Sequence, residues 1–232
     1  LIENRNISYH KKLVFNSDKP VLMGGLYLLI IILFFFSKEH LGIKVISIII
    51  LLIGILSDIH GNYDALKAVL KRAKKEKIDR FIFCGDLIGY YYEPKKCFDI
   101  LSKFKVDYIK GNHEIMLSDY LNNKISKVDI LEKYGNGLFK AIEQFSKKQI
   151  DFLLSLDHCK TIEINKKLIK ISHGSPWSPF DYIYPNSSKE IFKKFDNCNE
   201  DIFILGNTHR QMNIKKYSKV IFNPGSVGQP RD

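Results

Sequence analysis

The sequence predicts an α/β fold that gathers its functional groups at the ends of its strands, and two observations lead there. The apolar run Ile53-Gly54-Ile55-Leu56 leads directly into Ser57-Asp58-Ile59-His60-Gly61-Asn62, and an amphipathic helical pattern follows. A buried strand ending in Asp-x-His brings a carboxylate and an imidazole to one point at the sheet edge, where open α/β sheets bind ligands. Alone the motif is weak, because Asp and His also cap helices and Asn62 is a competent N-cap. The second observation is repetition. Further apolar stretches end in Gly85-Asp86, Gly111-Asn112-His113-Glu114, Ser172-His173-Gly174 and Gly206-Asn207-Thr208-His209. Each sets Asp, Asn or His beside a glycine that lets the backbone pass close to a ligand.

The elements follow in order. The last six or so residues of the apolar run 45–56 form the first strand. Ala65, Leu66, Val69, Leu70 and Ala73 have helical spacing with a basic opposite face, so 63–76 is a surface helix. Ile78 to Cys84 is a strand, Pro94 to Phe104 a short helix, and Val106 to Ile109 a third strand. Residues 115–157 are helical in pattern. Lys160 to Ile171 reads as two strands around a turn near Asn165-Lys166. A loop with Pro176, Trp177 and Pro179 precedes a helix near 187–196, then a strand from Asp201 to Leu205 and a hairpin-like pair from Met212 to Asn223.

The N-terminal region reads differently. Residues 1–20 are a polar tail of mixed charge. Val21 to Phe36 is uncharged and almost wholly apolar; as a helix it is about 24 Å long against a hydrocarbon core of about 30 Å. Residues 21–44 are therefore expected to be an uncleaved membrane anchor and linker, since Ser37-Lys38-Glu39-His40 offers no small-residue cleavage site. The competing reading, that 1–45 is an upstream extension or a fragment, carries almost equal weight. Basic residues flank the span on both sides and leave its orientation open. Residues 45–232 form the main domain.

A formal charge of +11 suits phosphates, nucleic acid or an anionic membrane, but Lys, Ile and Asn abound throughout, as an AT-rich genome also produces. No specific nucleic-acid or protein partner is inferred. An apolar content of 45% supports a real core. Cys84, Cys97, Cys159 and Cys198 show no C-x-x-C pairing, which points to a reducing compartment and a cytoplasmic location, with anchoring at the inner membrane through 21–36 as its extension.

Asp58, Asp86, Asn112, His60, His113, His173 and His209 make a mixed nitrogen and oxygen set suited to borderline metals such as Mn, Fe, Zn or Ni. One ion does not need so many ligands. Two ions about 3.5–4 Å apart clamp the attacking and leaving oxygens of an in-line displacement at phosphorus.

In this order, Asp58-Ile59-His60, Gly85-Asp86, Gly111-Asn112-His113-Glu114, His173-Gly174 and Gly206-Asn207-Thr208-His209 resemble the calcineurin-like metallophosphoesterases. The stretch Gly85 to Tyr90 and the closing Asn223 to Asp232 are similar to the small prokaryotic phosphodiesterase branch. The resemblance covers 50–232. It implies two packed mixed β-sheets flanked by helices in four layers, and hydrolysis of a phosphate mono- or diester. It further implies that Asp58, His60 and His209 hold a first metal, Asp86 bridges, and Asn112 and His173 hold a second. Manganese is the first choice of ion. His113 contacts the substrate phosphate or protonates the leaving oxygen, and a metal-bound hydroxide is the nucleophile.

Two departures stand out. The family usually has an imidazole where this chain has Asn207, so the second metal should be held more weakly. The family also usually continues into further strands past Pro230-Arg231-Asp232, which leaves an unpaired edge expected. A degenerate phosphate-binding or regulatory module is the rival reading, and a structural membrane-associated partner the third. Trp177 is placed to line a substrate pocket, Arg231 to meet a phosphate or form a salt bridge, and Tyr90, Tyr91 and Tyr92 to pack against the 94–104 helix, with stacking on a base or an aromatic leaving group as their alternative use. Glu114 fits a partner to the ligands and a helix N-terminal charge equally well. His10, His40 and His158 read as plain surface or loop residues.

Overall fold

The computed structural model describes residues 8–15, 27–37, 45–164 and 166–231, with side chains from residue 52 onward. Its elements run β1 (Ser8–Phe15), β2 (Tyr27–Ser37), β3 (Val45–Leu56), α1 (Tyr63–Lys75), β4 (Arg80–Phe83), α2 (Pro94–Leu101), β5 (Lys105–Tyr108), α3 (Asn112–Leu121), α4 (Lys127–Tyr134), α5 (Gly137–Gln144) and α6 (Lys147–Ser155). The second half holds β6 (Cys159–Ile164), β7 (Lys167–Ser172), α7 (Lys189–Asp196), β8 (Ile202–Ile204), β9 (Gln211–Lys216) and β10 (Lys219–Pro224).

Two mixed sheets result, ordered β1-β2-β3-β4-β5 and β6-β7-β8-β10-β9. In the first, β3, β4 and β5 are parallel; in the second, β7, β8 and β10 are. Side-chain alternation explains why they stack. Ile53, Ile55, Ile82 and Cys84 point from the first sheet into a layer shared with Ile169, Ile171, Ile202, Ile204 and Phe222 of the second. The alternate residues Leu56, Phe81 and Phe83 face the other way, onto Leu66, Leu70 and Ala73 of α1. Outside the second sheet, Phe203, Leu205 and Ile221 meet Phe192 and Phe195 of α7. The order is helices, sheet, sheet, helix, the four-layer α/β arrangement that the sequence implied.

The N-terminal expectations need correction. Lys11 and Lys12, read as tail residues, lie in β1, which pairs antiparallel with β2. The helical span expected over 21–36 is instead, from Tyr27 on, a strand whose register runs from Tyr27 opposite Ile55 to Ser37 opposite Val45. Periodicity cannot separate a buried strand from an apolar helix, and the run of Ile30, Ile31, Ile32, Phe34, Phe35 and Phe36 is rich in the β-branched and aromatic types that favour a sheet. Residues 1–7 and 21–26 lie outside the described residues, as does Asp232. Among the described residues no helix is long and apolar enough to cross a membrane. All of 45–56 is strand, not its last half, and the 115–157 stretch divides into parts of α3 and all of α4, α5 and α6.

Candidate metal centre

The site forms where β3, β4 and β5 of one sheet and β7 and β8 of the other end side by side. The turns after β3, β4 and β8 are sharp, and Asp58, His60, Asp86, Asn207 and His209 in them all sit at positive φ, between 52° and 65°. Non-glycine residues in this region are uncommon, and they concentrate where surrounding structure holds a functional group in place. Gly111 shows how tight the packing is: a Cβ there would run into the Asp86 carboxylate.

The two carboxylates are each held by one oxygen. Asp58 Oδ2 accepts from the Ser57 hydroxyl and from the Asn207 amide at 3.2 Å, while Oδ1 is buried without a donor. Asp86 Oδ1 accepts from the His113 amide at 2.9 Å, and Oδ2 faces His60, His113 and His173 at 3.8, 4.0 and 3.4 Å. Asp86 thus occupies the centre of the cluster.

Three imidazoles are fixed through Nδ1. His60 faces the Ile88 carbonyl at 3.1 Å, His173 the Cys84 carbonyl at 2.7 Å and His209 the Gln229 carbonyl at 2.7 Å. Donation from Nδ1 leaves Nε2 as the inward atom, the usual arrangement behind a metal-binding histidine. His209 Nε2 lies 3.3 Å from Asp58 Oδ1, and His173 Nε2 lies 2.8 Å from Asn112 Oδ1. His113 differs, for its Nδ1 is buried with no partner. Asp58, His60 and His209, then His60, Asp86 and His113, then Asp58, Asp86 and His173 form three overlapping groups, the ligand atoms of each within 4.8 Å of one another. The orphaned Asp58 Oδ1 and the converging Nε2 atoms fit divalent cations of the borderline class.

Electrostatics follows from burial opposed by opposite charge. Burial holds the His60 imidazole down, to about 3, and also lowers His113. For His173 burial is outweighed by the Asp86 carboxylate, which pushes the ring up to about 10. Burial would raise Asp58 and Asp86, yet the surrounding imidazoles hold both below the ordinary carboxylate range. Buried beside Asp86, Glu114 is pushed up to about 7, although it accepts from the amides of Asp86, Leu87, Ile88 and Gly111. Those four donors show its position: it ties the β4 loop to the start of α3.

The remaining residues are more scattered. Asn207 donates through its carboxamide nitrogen to the Asp181 carbonyl at 2.9 Å and through its backbone amide to Asp58 Oδ2 at 3.2 Å. Trp177 packs on Phe195, ring centroids 4.9 Å apart, with the Lys194 ammonium over its face, so it belongs to the α7 layer and not to the ligand cluster. Arg231 lines a depression beside the cluster with Thr208 and Arg210. Tyr90 was expected on α2; its ring instead lies 4.7 Å from His60 and 5.0 Å from His113, and only Tyr91 and Tyr92 are exposed. Sequence reasoning missed Ser57, Asp181, Tyr134 and the Gln229 carbonyl. Of these, Ser57 and Gln229 lay within quoted motifs, where neither had been given a role.

A fold of two facing mixed sheets with this cluster at the strand ends defines a metallophosphoesterase-like protein. The chain belongs to the calcineurin-like phosphoesterase superfamily, whose domain model matches residues 51–232. It is 28% identical over 199 residues to the uncharacterised protein MJ0912 of Methanocaldococcus jannaschii, covering 78% of each chain. Among solved structures, hypothetical protein PH1004 of Pyrococcus horikoshii is similar with a TM-score of 0.63 at 19% identity, over 75% of this chain and 76% of that one. A metallophosphoesterase from Sphaerobacter thermophilus gives 0.60 at 24% identity, over 78% of both. These last two likenesses are of fold.

Proposed function

We propose that the protein is a metal-dependent phosphoesterase with a dinuclear centre, and that residues 45–232 carry the activity. The observation that supports this best is the buried Asp58 Oδ1 without a donor, set among inward-facing Nε2 atoms. Asp58, His60 and His209 would hold one ion, Asn112, His173 and the Asn207 carboxamide oxygen the other, with Asp86 between them. Manganese is the first choice, and Fe, Zn or Ni suit the same donors. When bound, such a pair supplies Lewis acidity and a water of lowered pKa.

The chain's own residues do the rest. His113 is the imidazole left unanchored at Nδ1, so its ring is free to donate to a phosphate oxygen or to the leaving oxygen. Arg231 stands beside His209, accepted by the His209 carbonyl through its amide at 3.2 Å, and brings positive charge to the phosphate. Tyr90 sets its ring against those of His60 and His113.

Chelator-treated protein should lose hydrolysis of aryl phosphate mono- and diesters and recover it with Mn²⁺. Activity indifferent to chelation would overturn the reading. Phosphate binding without turnover in the metal-loaded protein would favour the regulatory alternative.

A further inference from the structure

A cavity of about 290 Å³ runs from the candidate metal centre outward between α3, α4 and the 180–182 loop. Its inner end carries Asn112 and Asn207, and its walls include Met116, Tyr134, Phe180 and Tyr182. Tyr134 packs against His113 with ring centroids 5.1 Å apart, so one aromatic wall touches the reaction centre directly. Phe180 and Tyr182 are 56% and 51% exposed, and Tyr182 is held flat on Tyr184 with 14° between the rings. Large aromatic faces kept open to water beside a polar centre present a stacking surface to a bound group.

Asp119, Asp129 and Lys133 also line this cavity, with the Lys124 ammonium 3.2 Å from the Asp119 carboxylate, whereas Arg210 and Arg231 sit in the separate depression next to His209. The volume is at the small end of the range for ligand pockets and accommodates a single ring system.

Resting on the phosphoesterase reading, we infer that this cavity receives the organic group of the ester, and that this group is flat and aromatic. The shared chemistry is a phosphate ester of an alcohol carrying one aromatic ring system. A nucleoside and a simple arylmethyl alcohol are its two sources.

The test uses full-length, metal-loaded protein and esters whose leaving alcohols are similarly reactive: a nucleoside 5′-phosphate, benzyl phosphate and ethyl phosphate, each also as the methyl diester. The aromatic esters should exceed the ethyl ester in kcat/KM by about tenfold or more, and the Phe180→Ala, Tyr182→Ala double variant should reduce that ratio about tenfold. Both side chains are more than half exposed, so their truncation spares the core. A nucleoside ahead of benzyl identifies a base as the bound group; the reverse identifies an arylmethyl alcohol. An ethyl ester as good as the aromatic ones, or a ratio unmoved in the double variant, overturns the inference. If no ester is hydrolysed, the hydrolytic reading fails by itself. Calorimetric binding of the same phosphates then decides the cavity: tighter aromatic binding supports it and equal affinities overturn it.

Discussion

The Nε2 atoms of His60 and His209 face each other at 3.1 Å, while Nδ1 of each ring is turned to a backbone carbonyl. Two neutral rings donating through Nδ1 would oppose lone pair to lone pair, and the nearby Asp58 Oδ1 adds a further acceptor without a donor. Only a proton or a metal cation reconciles the three.

Metal should therefore stabilise the fold. At a free Mn²⁺ concentration of 100 times the dissociation constant, linkage gives about 2.7 kcal/mol. Thermal unfolding of wild type and His209→Ala with increasing Mn²⁺ measures this. A rise in Tm is expected for wild type and should be largely lost in the variant; an equal rise in both would place the binding elsewhere.

His113 is buried like the other imidazoles but lacks the Nδ1 anchor they share. His113→Ala should keep nearly the wild-type metal content while turnover falls roughly 10²–10⁴-fold, the usual contribution of a positioned acid or donor. Metal analysis beside kcat separates the cases, and parallel loss of both makes His113 a ligand.

Stability of the chelated protein should be greatest between pH 4.5 and 6.5, because Glu114, raised to about 7, adds a contribution that is complete below its ordinary 4.5 and lost as pH rises through 7. The His60 value is depressed to about 3, so its contribution is present above its ordinary 6.5 and lost as pH falls towards 3. Asp86 is also depressed, so its contribution likewise disappears in acid. His173 is raised to about 10, so its contribution is complete below 6.5 and lost as pH rises through 10. Denaturation midpoints at pH 3, 5.5 and 10 test both limbs. Saturating metal should flatten the alkaline one, because a ligating His173 no longer needs its proton.

Glu114 accepts from four backbone amides that shape the loop around Asp86. In Glu114→Gln one acceptor oxygen becomes a donor, and two buried N–H groups lose their partner. A loss of about 2–4 kcal/mol is expected, read from urea unfolding, with weaker metal binding. Unchanged stability would show that the loop is held by packing alone.

What was legible in the sequence was what a strand end imposes on its own neighbourhood. Asp86, Asn112 and His173 each sat beside a glycine after an apolar run, Asp58 and His209 sat three residues from one, and they converge because parallel strands share an end. Residues acting through a carbonyl or a ring face left no such mark: Gln229 orients His209 with its backbone, and Tyr134 meets His113 from the end of α4. Trp177 adjoins a ligand strand in sequence, but the chain turns it towards Phe195. The 27–37 run was ambiguous because an unbroken apolar stretch has no period, and its pairing with β3 is a long-range fact.

Asn207 stands where the resemblance led one to expect an imidazole. The residue has φ of 65°, a conformation that Asn and His tolerate better than most side chains, so Asn207→His is compatible with the backbone. The carboxamide already donates to the Asp181 carbonyl. An imidazole can keep that bond through Nδ1 and turn Nε2 inward, as His60, His173 and His209 do. Imidazole is the better ligand for borderline metals than an amide oxygen, so the substitution should tighten the weaker of two sites. Metal titration of wild type should show unequal affinities with activity following the weaker one, since clamping both reacting oxygens requires two ions. Asn207→His should draw the two affinities together and raise activity at limiting metal. If neither quantity moves, the carboxamide faces away from the cations and its tie to Asp181 is its whole role.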